Sequence, residues 1–213
     1  MSPGGRLLYL GLTIGMLQLT VQTANAQTAK DALLDVLVFG THVPIDPQEY
    51  SGPLRTDLDR YLTRARNYVS TTPVPAFAEG KMVHAAIVTQ ERKLVAISAD
   101  TNSATAARTY VRDLRPCYEW EGFHDCPERE AVFADQYHTA NPRGPFSGYL
   151  PLLAAHRWLC AAEAYEDERM PAEAKRSRQS YEDRLKVALG SNLLLVRAAA
   201  ERLRDRKSCL APR

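Results

Sequence analysis

Leu54, Leu58, Tyr61, Leu62, Ala65, Tyr68 and Val69 recur at i, i+4, i+7, i+8, i+11 and beyond, the spacing of one face of an α-helix. Ser51 is placed to cap that helix and Pro53 to sit in its first turn, where a missing N–H costs nothing. The same period returns along the chain. Residues 29–39 cluster Leu33, Val36 and Leu37, and residues 103–114 read as a helix stopped by Pro116. Pro127 opens a helix to about Ala140. Ser147 is expected to cap the next, with its stripe Leu150, Leu153, Ala154, Trp158, Ala161 and Tyr165. Pro171 opens another with Ala174, Tyr181, Leu185 and Ala188. Gly190 is expected to end it in the left-handed conformation, and Ser191 to start a last helix to about Arg206. Short links between such helices make antiparallel neighbours. The expectation is an all-α chain of about seven helices arranged as antiparallel hairpins.

One stretch leaves two readings open. Residues 83–98 could be a β-hairpin around QERK, because Val83, Ala85, Ile87 and Thr89 alternate. A helix is preferred, since QERK holds none of the Gly, Asn or Pro that tight hairpin turns use.

The N-terminus sets the compartment. Arg6, an uncharged and mostly apolar run from Leu7 to Leu19, and Ala24-Asn25-Ala26 are the three parts of a secretory signal peptide. Thirteen residues span about 20 Å as a helix, short of the ~30 Å hydrocarbon core. Cleavage after Ala26 leaves a mature chain beginning at Gln27, a single helical domain over 27–213 with subregions 27–78, 79–116 and 117–213. No later segment is apolar enough to act as a transmembrane anchor. Arg outnumbers Lys 21 to 6, a bias that accompanies GC-rich genomes, so a bacterial periplasmic or secreted protein is expected.

Export permits disulfides, and the four Cys can pair three ways. Cys117 with Cys126 would close the short loop CYEWEGFHDC, and Cys160 with Cys209 would clamp the C-terminus. Metal ligation is disfavoured, because no C-x-x-C pair is present. No cofactor is expected.

Trp158, Ala162, Tyr165 and Ala174 stand in the order and spacing of an aromatic, a small residue four later, a Tyr three after it and an Ala nine further on. That segment resembles a single tetratricopeptide unit, whose period is about 34 residues. It departs from the pattern at Arg178 and Tyr181 and lacks the closing Pro, and no second copy follows. The resemblance implies a helical protein- or peptide-binding scaffold.

Catalytic motifs of the G-x-S-x-G, H-E-x-x-H, S-x-x-K, G-x-G-x-x-G and Walker kinds are absent from the sequence. Two His stand three residues from a carboxylate, Glu121 with His124 and Asp135 with His138. A scattered site of His124, Asp135 and His138 is the basis of an alternative reading as an envelope hydrolase. The loop CYEWEGFHDC interleaves aromatics with acids. Tyr118, Trp120, Phe123 and His124 are the candidate partner-binding residues, or the aromatics fold inward and plug a gap between helices. An inhibitor or immunity-type protein would use the same loop.

Charge divides the chain. From Pro171 onward 11 Lys and Arg face 5 Asp and Glu, whereas residues 27–170 carry 15 against 20. The preferred reading pairs the basic C-terminal helices with the acidic body, and export argues against a nucleic-acid partner. The sequence therefore predicts an exported, non-catalytic helical protein of the cell envelope with a protein or peptide partner.

Overall fold

Every described element is helical. The computed structural model describes residues 31–35, 37–38, 45–71, 103–114 and 120–209. Residues 31–35 and 37–38 are helical, and six helices follow: α1 (Gly52–Thr71), α2 (Ser103–Leu114), α3 (Asp125–Ala140), α4 (Leu150–Asp167), α5 (Pro171–Leu189) and α6 (Leu194–Arg206). Two 3-10 turns, Pro47–Glu49 and Ser147–Tyr149, precede α1 and α4. No strand occurs among the described residues. The region of the helix-or-hairpin choice, 83–98, lies outside them, as do the signal-like residues 1–26, Cys117 and Tyr118.

Helix α4 is the axis of the packing, with α3 and α5 lying most extensively against it. Its residues Ala154, Ala155, Leu159, Ala161 and Ala162 are all fully buried. Alanine on several faces lets neighbouring helices approach closely, so α4 needs no single apolar stripe. In α1 the sequence periodicity holds: Leu58 and Tyr61 are buried, and Leu54 and Leu62 pack partly against the same core. In α6 the buried set Leu195, Val196, Ala199, Ala200 and Leu203 forms one face. Tyr110 of α2 meets Phe133, Tyr137 and Phe146 edge-on, with ring centroids 4.9, 4.9 and 5.3 Å away. Ala161, Tyr165 and Ala174 form a small separate buried cluster between α4 and α5, with Trp158 and Met170 packed against it.

Three helix-end expectations are corrected. Ser147 opens a 3-10 turn instead of capping α4, because its buried hydroxyl donates to the Asn141 carbonyl. Gly190 has φ −85°, so it does not end α5 in the left-handed conformation, and left-handed residues instead follow α4 (Arg169, φ 62°) and α6 (Lys207, φ 56°). Ser191 does not begin α6; its hydroxyl accepts from the Leu193 N–H, and the helix starts at Leu194.

The basic end is paired with upstream acids. Arg178 bonds Glu166 through two N–H groups (2.8 and 2.9 Å), and Arg184 bonds Asp135 at 2.8 Å. Arg202 grips Asp31, and Arg206 reaches Asp35 at 3.3 Å. Burial pushes the Asp35 carboxyl above its ordinary range, and Arg206 pulls it partly back. Thus α6 is fixed to the N-terminal helical residues by charge as well as by apolar packing.

Cys160 and Cys209 are joined, with Cα atoms 4.8 Å apart. Of the two expected bridges this one is described. Cys126 is not a free thiol, and its expected partner Cys117 lies outside the described residues. Around the bridge, α4 presents His156, Cys160 and Glu163 at i, i+4 and i+7. His156 Nε2 donates to the Cys209 carbonyl at 3.0 Å, and the Cys209 N–H donates to the Glu163 carboxylate at 3.1 and 3.2 Å. One helix face thereby holds the carbonyl, the sulfur and the amide of a single residue.

Candidate functional site

Residues 120–124 form the turn that leads into α3. Gly122 adopts φ +96°, a conformation that side chains rarely tolerate, so glycine is required there. Trp120 Nε1 donates to the Phe123 carbonyl at 2.6 Å and locks the turn. The indole is half-buried and packs against the main core. Phe123 points the other way and is 55% exposed. Of the two aromatics expected either to meet a partner or to plug the core, Trp120 packs inward and Phe123 is left exposed.

His124 is held from three sides. Its backbone N–H donates to Glu168 Oε1 at 2.9 Å, and its Nδ1 lies 2.8 Å from both carboxylate oxygens. A carboxylate facing Nδ1 selects the tautomer with the proton there and leaves Nε2 for other contacts. The ring stacks on Tyr165 at a centroid distance of 4.1 Å, and the Tyr165 hydroxyl donates to Glu128 at 2.6 Å. Burial, then Glu128, pushes the Tyr165 phenol upward, so it stays a donor across the physiological range. The bonds from His124 hold the Glu168 carboxyl below its ordinary value of 4.5. A carboxyl lowered on folding stabilises the folded state above its unfolded value, and that contribution is lost as pH falls through the folded value. The loop anchor should therefore hold above about pH 4.5 and loosen below it. Glu168→Gln should give the same loosening at neutral pH. Hydrogen exchange at the His124 amide should accelerate in that variant while exchange in the centre of α4 stays unchanged; equal protection in both proteins would remove the anchor role.

The expected short-range pairs are not made. Asp135 accepts from Trp158 Nε1 at 3.0 Å and from Arg184 Nε at 2.8 Å, which ties α3 to α4 and α5. His138 Nδ1 is buried with no hydrogen-bond partner among the described residues. Glu121 is exposed, and the acid that His124 meets is Glu168, 44 residues away. The structure does not assemble His124, Asp135 and His138 into one catalytic set. Glu168 escaped the sequence reading because only the packing of α3 on α4 brings the two ends together.

His156, Cys160 and Cys209 place a nitrogen and two sulfurs within 4.8 Å of one another. The sulfurs are bonded to each other, and both imidazole nitrogens are occupied, one by Arg157 and one by the Cys209 carbonyl. This cluster is the structural clamp. No helix among the described residues is long and apolar enough to cross a membrane.

No family model, curated protein or solved structure matches the chain.

Proposed function

We propose that this is an exported, non-catalytic helical protein of the cell envelope that binds a protein or peptide partner through the 120–124 loop. The observation that carries the reading is Phe123. At 55% it is the most exposed large hydrophobic residue described, ahead of Val187 at 48% and Leu193 at 38%. It stands on a turn fixed by Gly122, Trp120 and the His124–Glu168 pair, so little ordering is required when it docks. Pre-ordered aromatic anchors are the usual centre of a binding surface. The helical pairs around α4, with their tetratricopeptide-like order of aromatic and small residues, suit a scaffold that presents such a loop. The Cys160–Cys209 bridge and the signal-like N-terminus support export, and a second bridge between Cys117 and Cys126 would fasten the base of the loop.

Two measurements test the reading. Protein purified from the envelope should begin at Gln27 by mass analysis; retention of residues 1–26 would remove the cleavage claim. A photo-crosslinking amino acid placed at Phe123 should give a discrete adduct in living cells, and the same group at Val187 should not. Adducts of equal pattern at both positions, or none at either, would overturn the loop as the partner site.

A further inference from the structure

A cleft of about 200 Å³ lies between α1, the 3-10 turn before α4 and the start of α6, away from the 120–124 loop. Its apolar wall is made by Pro145, Leu193 and Leu194. Leu193 can close over the turn because residue 148 is glycine; a Cβ there would stand 2.7 Å from the Leu193 Cδ1. The remaining wall is polar. Tyr61, Arg64 and Tyr149 line it, and neither hydroxyl nor the Arg64 guanidinium has a hydrogen-bond or ion-pair partner among the described residues.

The charges of this wall do not cancel. Asp57 is matched by Arg60 at 3.3 Å, which leaves Arg64 as one positive charge in excess. Burial and then the neighbouring Asp57 push the Tyr149 phenol up to about 12, and burial also raises Tyr61. Both hydroxyls therefore remain protonated donors. Three donors with no acceptor among the described residues, one of them cationic, line the same small cleft as the apolar residues. These groups are open to a ligand in the cleft, and a guanidinium fits a carboxylate through two parallel N–H bonds.

We infer that this cleft binds a small apolar monocarboxylate, its carboxylate on Arg64 and the tyrosine hydroxyls and its hydrocarbon part against Leu193 and Leu194. A single cation with no partner among the described residues matches a monoanion; a phosphate dianion would be left half compensated. The volume is below the ~300–1,000 Å³ typical of sites for drug-sized ligands, which restricts the occupant to a short acid or to the last residue of a peptide. The inference uses none of the residues assigned to partner binding and stands apart from that reading.

The test is a nitrogen-15 NMR titration of the mature, disulfide-intact protein with hexanoate, hexylammonium, and an acetylated tripeptide ending in leucine as the free acid or as the amide. Hexanoate or the free-acid peptide should shift the amide signals of Leu193 and Leu194 saturably, and the tighter of the two identifies the source of the carboxylate. Hexylammonium and the peptide amide should leave those signals in place. Arg64→Gln, a change at a partly exposed position, should weaken the acid at least about tenfold, and Tyr149→Phe about threefold, with the helical circular dichroism retained. Shifts that never saturate, equal shifts with hexylammonium, or an unchanged affinity in Arg64→Gln would each overturn the inference.

Discussion

Cys160→Ser, Cys209→Ser and the double variant are all expected to lose about 2–5 kcal/mol of unfolding free energy, the usual loss for a native bridge. The cysteines are 49 residues apart, and closing a loop of about that size restricts the unfolded chain by roughly 4 kcal/mol. The two single variants should lose similar amounts, because each breaks the same bond. Cys209 would still be tied to α4 by His156 and Glu163, so the folded state should keep its helical content. The loss should appear as a lower denaturation midpoint, with a somewhat steeper slope because the unfolded chain is no longer cross-linked. Hydrogen exchange in the last turn of α6 should rise most, since the bridge fastens the residues that follow it. Non-reducing peptide mapping should recover Cys160–Cys209 and Cys117–Cys126 as the two linkages. A loss under about 1 kcal/mol, or a Cys126–Cys160 linkage, would overturn the clamp.

The elements of this fold were legible where one helix face meets one core. Leu58 and Tyr61 in α1 show it, as does Pro171, which opens α5. Helix ends were less legible, because a capping side chain competes with tertiary acceptors. Ser147 turned its hydroxyl to Asn141, Gly190 is not left-handed, and the left-handed residues after helices are Arg169 and Lys207. The charge asymmetry between the two ends of the chain anticipated the pairing of Arg202 with Asp31 and Arg206 with Asp35. It could not name the partners. The site follows the same rule: the loop and its aromatics were visible in CYEWEGFHDC, but Trp120 going inward and Phe123 outward depends on the turn at Gly122. Glu168, distant in sequence, was invisible without the packing of α3 on α4.

The second large effect is expected at Glu130. Its carboxylate is 5% exposed and receives the Nε–H of Arg157, itself 8% exposed. Arg157 Nη1 donates to His156 Nδ1 at 3.0 Å, and His156 Nε2 donates to the Cys209 carbonyl at 3.0 Å. With its second nitrogen donating, the imidazole must accept at Nδ1, so the chain of bonds fixes one neutral tautomer. Glu130→Ala would leave a buried guanidinium without its carboxylate, and removal of one partner from such a pair costs about 3–5 kcal/mol. Arg157→Met should cost a similar amount by stranding the carboxylate. The double variant Glu130→Leu with Arg157→Met should cost less than the sum of the two, because no uncompensated charge remains. Adding Glu130→Ala to Cys209→Ser should likewise fall short of additivity, since both act on the line from α3 through His156 to residue 209. Urea denaturation of the four variants at one pH measures all of these terms. A loss below about 1 kcal/mol for Glu130→Ala, or strict additivity of the charge pair, would mean that solvent reaches the pair and that the network does not brace the clamp.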